Sequence, residues 1–304
     1  MNKGMWYAFS AYLLWGILPV YLKSLDRVPS AQILGHRIVW SVLLLVVIVS
    51  WQGQWKQIGK ILRSPRAMII LVLSASLLSV NWLVYIWGVN SGFVVETSLG
   101  YFINPLVSVV LGVFILRERL RTWQWLPLGL ATGGVVYLAW SYGRLPWIAL
   151  VLAFSFGTYG LLKKIAPASA LQGLMVETTI LFIPAILYLI YAEFKGNGAF
   201  GHGGWSLTFL LSLAGVITTV PLLLFASGAR LIPLSMLGIL QYIAPTAQFL
   251  LGVLLYHEPF GLNQLIGFGL IWLALIIFTF ENFLNKRNTA VNIRSSSAIL
   301  HTIK

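Results

Sequence analysis

Two ionisable side chains stand well inside apolar stretches of this 304-residue chain, Arg37 and Glu177. They lie 140 positions apart, the same spacing that separates Gln32 from Gln172. A charge inside an apolar run is costly in lipid, so it usually faces a bundle interior or water and marks a solute or proton pathway. Both residues are therefore candidates to line a central cavity. Partial dehydration disfavours the charged form of a carboxyl group, which makes Glu177 the candidate for proton coupling. Arg37 has an alternative. It sits about two turns into its run, and its long stem can carry the charge back to the interface. His36 and Trp40 belong to the same neighbourhood. A lone histidine with no second ligand at a suitable spacing is not a metal site, and no metal or other cofactor is implied.

A second set of candidates is polar but uncharged. Tyr101, Pro105, Ser108 and Gly112 share one helical face, and Gln241, Pro245, Gln248 and Gly252 share the corresponding face 140 positions on. Amides are costly against lipid, so Asn104, Gln241 and Gln248, together with Tyr101, either line a cavity or pair between helices. Close helix packing is sufficient explanation for Gly112 and Gly252. Trp15, Tyr85, Tyr101 and Tyr242 lie deep in their runs and can stack on a planar solute or simply fill the core. Asn81, four residues before Tyr85, joins them as a cavity candidate. Trp51, Trp55, Trp123, Trp125, Trp140 and Trp147 stand at run ends, where an interfacial aromatic belt accounts for them. Glu118 and Glu258 close equivalent runs, and Glu118 is expected to pair with Arg117, Arg119 or Arg121.

Several chemistries are excluded. The chain has no cysteine, so it holds neither a disulfide nor a thiolate metal site. It lacks a phosphate-binding G-x-x-x-x-G-K-[ST] loop, an H-E-x-x-H pair and a G-x-S-x-G elbow. Nothing points to an enzyme or to a nucleic-acid partner.

The elements that position these residues are membrane helices. Hydrophobic residues make up 59% of the chain, charged residues 9%, and the mean hydropathy is +0.89. Soluble domains carry about 25% charged residues, so the solvent of this chain is a lipid bilayer. Ten apolar runs approach the roughly 20 residues that a span needs: 4–22, 31–51, 67–89, 93–116, 123–141, 145–162, 170–191, 205–226, 233–256 and 260–283. The first lacks an A-x-A-like cleavage site and reads as a span, not a signal peptide. Residues 52–66 read as a basic loop, and 284–304 as a polar tail. The formal charge is +13, and its distribution decides topology. With a cytoplasmic N-terminus, fifteen of the 20 Lys and Arg residues fall on the inner side and five on the outer. The positive-inside rule then places both termini in the cytoplasm.

The chain also writes one half twice. Pro105, Gly112, Val113 and Glu118 fall on Pro245, Gly252, Val253 and Glu258, and Leu83, Gly88, Gln124 and Gly129 fall on Leu223, Gly228, Gln264 and Gly269. The halves are 4–141 and 145–283. Five spans in each is an odd number, so tandem copies enter the membrane in opposite directions. Such inverted repeats are the architecture of many secondary transporters, with the solute site near the midplane between them. A carrier is the favoured function; an uncoupled channel and a membrane scaffold or receptor are the alternatives. The oligomeric state stays open between monomer and homodimer.

The two runs ending Pro105–Gly112–Glu118 and Pro245–Gly252–Glu258 resemble the EamA-type repeat of the drug/metabolite transporter superfamily. The opening stretch from Met5 to Tyr12 with Trp15–Gly16, and Gly35–His36–Arg37, resemble the RarD subgroup. The resemblance spans about residues 4–283. It implies an all-α protein of ten membrane helices, a permease of the bacterial inner membrane, and a small organic solute. For this subgroup it implies a chloramphenicol-like drug. Glu177 stands where the first half has arginine, so the resemblance does not imply two equal half-sites.

Overall fold

The apolar runs have few polar side chains to compete for backbone groups, and lipid offers no hydrogen bonds, so the chain satisfies its own backbone as helix. A computed structural model describes residues 3–25, 27–90, 93–141, 146–255, 261–263, 265–267, 269–278 and 280–281. Glu258, Gln264 and the 284–304 tail lie outside them. The helices are α1 Lys3–Lys23, α2 Ser30–Trp51, α3 Trp55–Leu62, α4 Pro65–Asn90, α5 Val94–Phe114, α6 Trp125–Ser141, α7 Trp147–Ile165, α8 Ala170–Phe194, α9 Gly204–Leu231, α10 Leu234–Gln241 and α11 Ile243–Leu254. Six of these (α1, α2, the Pro65–Tyr85 part of α4, α7, α8 and α9) are long and apolar enough to cross a membrane. Leu99–Phe114 and Leu265–Phe278 are shorter apolar helices.

Two elements differ from the sequence expectation. The basic 52–66 stretch holds α3, an amphipathic helix whose Ile58 and Ile61 are buried against α4 and α8. Its apolar residues recur at three- and four-residue steps, a pattern that the four surrounding bases obscure. The 233–256 run is broken at Tyr242 into α10 and α11. Pro245 has no N–H to give the Gln241 carbonyl, and its ring crowds that carbonyl. Pro105 at the matching place sits inside an unbroken α5.

The described residues pack as two compact units. The larger holds 1–118 and 146–259. Its principal helix pairs are α1 with α9 and α11, α2 with α8 and α9, α4 with α7, and α5 with α7 and α10. Each pair joins a helix preceding residue 141 to one following residue 145. The interior mixes small and hydroxylated residues, among them Ala8, Ala11, Ser41, Ser74, Thr218 and Thr219, with larger apolar ones such as Leu45, Leu71, Tyr12 and Phe225, whereas Val47, Ile69, Leu187 and Phe209 point outward. Lipid removes the penalty on exposed apolar surface, so close packing, with small residues at the tightest approaches, is left to hold the helices together. At Gly215 a Cβ would stand 2.5 Å from the Trp40 carbonyl carbon, and at Gly238 2.7 Å from the Pro105 oxygen. Only glycine lets α9 approach α2, and α10 approach α5, so closely. Tryptophans at helix ends are bare, Trp51 at 88% and Trp205 at 91% exposure, as an interfacial belt requires.

The smaller unit comprises 119–145 and 260–304. Within it Arg121 Nη1 meets Glu281 Oε1 at 3.1 Å, and the Tyr137 hydroxyl donates to Asn263 Oδ1 at 2.9 Å.

Candidate functional site

Arg37 lies on α2 seven residues past Ser30, ~10 Å along the helix at 1.5 Å per residue. Its Nε donates to Thr218 Oγ1 of α9 at 2.8 Å. Its guanidinium carbon is 4.9 Å from the centre of the Trp82 ring on α4. Tyr85 stands three residues after Trp82, hence on the same helical face. The Tyr85 ring meets Tyr101 of α5 edge-on, with centroids 5.6 Å apart. Tyr21, Tyr85 and Tyr101 are within electrostatic reach of the guanidinium. Arginine presents five N–H donors. Apart from Nε–H, the donors of Arg37 meet no acceptor among the described residues, and no described carboxylate pairs with it. Arg37, Trp82, Tyr85 and Tyr101 are all half-buried, so part of each stays accessible although helices surround them. Four helices, α2, α4, α5 and α9, contribute to this one site.

The structure thus brings Arg37, Tyr85 and Tyr101 together, and adds two residues that the sequence reading did not single out. Trp82 carried a signal, since it shares a helical face with Tyr85. Thr218 carried only a weak one, as one of two adjacent threonines in the middle of an apolar run.

His36 and Trp40 point elsewhere, although they neighbour Arg37 in sequence. The His36 ring stacks on Phe200 at 5.2 Å and 27°, and Trp40 lies 5.8 Å from the same ring. Phe200 belongs to the loop between α8 and α9. Gln32 pins that loop, its Nε2 donating to the Asn197 carbonyl at 2.6 Å and its Oε1 accepting from Ala199 N–H at 2.9 Å. Gln172, at the repeat-equivalent position, donates to Gln54 Oε1 at 3.0 Å, again in the loop that follows the opposite half's helix.

Trp15 lies in an aromatic cluster with Tyr12, Phe156 and Phe225, each centroid within 5.8 Å of its own. Gln248 Nε2 donates to the Trp15 carbonyl at 3.0 Å and ties α11 to α1. Asn81 ties α4 to α7, donating to the Leu152 carbonyl at 3.0 Å and to Ser155 Oγ at 2.9 Å. Gln241, Tyr242 and Asn104 are buried. Among the described residues, the Tyr242 hydroxyl and Asn104 Oδ1 have no hydrogen-bond partner.

Glu177 meets a different environment from Arg37. Both its oxygens accept from Lys163 Nζ, each at 3.0 Å. The two side chains are 0% and 2% exposed. The pair joins the end of α7 to α8, and among the described residues it shares no partner with Arg37. Lys163 lies in the last turn of α7, and the reversal of the chain between α7 and α8 brings it to Glu177.

A polar cluster also ties the far ends of α5, α7 and α9. Arg117 adopts a left-handed φ of 54°, which turns the chain at the end of α5. Glu118 N–H then reaches the Gly112 carbonyl at 3.0 Å. The Glu118 carboxylate is thereby aimed at the start of α10, accepting from the N–H groups of Leu234 at 2.6 Å and Ser235 at 2.9 Å, and from the Ser235 hydroxyl at 2.8 Å. Lys164 donates to the Ile232 carbonyl at 2.5 Å and stands 3.8 Å from Glu118. Arg230 donates to the Ala166 carbonyl at 2.8 Å and to that of Ala168. The expected pairing of Glu118 with neighbouring arginines gives way to helix capping, because the turn at Arg117 folds it back.

Comparison with known proteins follows the same lines. The EamA-like transporter family matches residues 2–140 and 145–280. Protein RarD of Streptomyces exfoliatus is 44% identical over 97% of this chain and 94% of its own length. The uncharacterized transporter YojE of Bacillus subtilis is 45% identical over 94% of this chain and 96% of its own. A solved crystal structure, 19% identical, superposes with a TM-score of 0.67 over 91% of this chain and 96% of its own, a likeness of fold.

Proposed function

The chain belongs to the EamA-like transporter family, in its RarD subgroup, and is a multi-pass membrane transporter; on that premise we propose that it is a secondary carrier of small organic solutes working by alternating access. The proposed architecture is ten membrane helices in two inverted repeats, 4–141 and 145–283, with both termini in the cytoplasm of a bacterial cell and the spans in its inner membrane. The observation that carries the mechanism is the cross-half packing of the larger unit. Every principal interface there pairs a helix of one half with a helix of the other. The paired positions are used unequally: α2 packs closely along α9, whereas α8 makes a slighter contact with α4. Two similar halves in one asymmetric arrangement can exchange their roles, which alternates the side on which a shared site opens.

The solute site in this reading is the half-buried cluster of Arg37, Trp82, Tyr85 and Tyr101. An aromatic drug such as chloramphenicol, which the RarD subgroup is named for, is one candidate solute. Reconstitution into liposomes and counterflow test the mechanism. A carrier shows saturable uptake accelerated by solute preloaded on the far side. Flux that neither saturates nor responds to preloading would make the protein an uncoupled channel, and no flux across a panel of aromatic drugs, amino acids and nucleosides would favour a scaffold.

A further inference from the structure

We propose that the guanidinium of Arg37 seats an organic anion, a carboxylate carried on a planar aromatic body, with Trp82, Tyr85 and Tyr101 holding the ring. This deepens the carrier reading and rests on it for the site's purpose, though not for its chemistry. A guanidinium keeps its proton in proteins, so Arg37 is a permanent charge within a span. Such a charge is costly unless it is paired. Its one hydrogen bond among the described residues, to Thr218, orients the group without neutralising it, and the Trp82 ring at 4.9 Å offsets only part of the cost. The remaining donors form the fork that binds a carboxylate through two parallel hydrogen bonds.

The repeat supplies an internal control. Lys163 and Glu177 correspond, 140 positions back, to Lys23 and Arg37. In the second half this pair of positions is one cation and one anion, and they close on each other at 3.0 Å. In the first half both are cations. The Lys163–Glu177 pair therefore has no equivalent at these two positions, and Arg37 is left to a ligand's carboxylate. The surrounding side chains fit the rest of that ligand. Trp82, Tyr85 and Tyr101 are half-buried, and a planar ring has faces and edges of aromatic groups to pack on. A neutral drug would leave the charge uncompensated.

The test is equilibrium binding to the purified full-length protein in detergent. Phenylacetate, indole-3-acetate and 4-hydroxybenzoate are each compared with their neutral amides. At least one acid is expected to bind about 30-fold more tightly than its amide, the scale of a charge-assisted pair. Arg37→Gln is expected to abolish that preference. Arg37→Lys, which keeps the charge but loses the fork, should retain a part of it. If Arg37→Gln does not fold, the acid–amide comparison on the wild type and on Arg37→Lys decides. Equal binding of every acid and its amide, or an acid preference untouched by both substitutions, overturns the proposal. Counterflow separates the two readings. Exchange of neutral solutes without any acid preference leaves the carrier standing and removes the anion site. Arg37-dependent acid binding without exchange in liposomes establishes the site and removes the carrier.

Discussion

Arg37 and Glu177 occupy one register position in two halves and meet opposite fates, and their substitutions should behave in opposite ways. Glu177 is fully buried against Lys163. Removing one partner of such a pair strands the other charge, at a cost of about 3–5 kcal/mol. Glu177→Gln is therefore expected to melt well below the wild type in detergent, and Lys163→Met combined with Glu177→Leu to recover most of the loss. A Glu177→Gln protein that melts normally but transports without its pH response would instead make Glu177 a proton carrier. Arg37 has no such partner among the described residues. With no ligand present, Arg37→Gln should melt at or above the wild-type temperature, since it removes a half-buried charge that no described residue neutralises. A clear fall in melting temperature would mean that Arg37 is held for stability. Asn81 and Gln248 are as deep as Arg37, yet their donors meet carbonyls of neighbouring helices. Residue type and depth alone left them level with it; the location of acceptors separates them.

At the scale of elements, the ends of helices matter most. Glu118 satisfies two backbone N–H groups at the start of α10, and a carboxylate there also complements the helix dipole. Glu118→Ala should cost about 1–2 kcal/mol and speed amide exchange at Leu234 and Ser235 selectively. Uniform exchange rates in wild type and variant would show that the cap is idle. Gly238 admits the Pro105 carbonyl so closely that Gly238→Val must push α10 off α5. That variant should lose folded yield, while Gly59→Ala, with open space around it on α3, should not. The break at Tyr242 belongs here too. Its cause, Pro245, is visible in the sequence, but Pro105 at the equivalent site breaks nothing. Proline removes one hydrogen bond in both helices, and the packing around each decides whether the helix continues.

At the scale of the whole molecule, the proposed inverted arrangement predicts which loops share a side. The absence of native cysteine makes this measurable without background. Gln57→Cys in α3 and His202→Cys in the α8–α9 loop are both exposed positions. In intact cells a membrane-impermeant thiol reagent should label His202→Cys and spare Gln57→Cys until the membrane is opened. Labelling of both, or of Gln57→Cys alone, would contradict a cytoplasmic N-terminus and the inverted topology together.

Hydropathy is a local property, and the sequence by itself determined what depends on it: a lipid-embedded chain, apolar runs that coincide with its six long apolar helices, and the basic bias of one set of loops. It also marked Arg37, Tyr85 and Tyr101 as unusual for their depth. What it left open was pairing. Arg37 finds Thr218 across 181 positions, and Gln248 finds Trp15 across 233; neither contact leaves a trace in spacing or composition. His36 and Trp40 share a helix with Arg37 yet turn to Phe200, a loop residue that no periodicity flags. Tertiary packing decided which buried polar group has its partner within the protein and which does not, because a charge in a low-dielectric interior is defined by the few atoms that surround it.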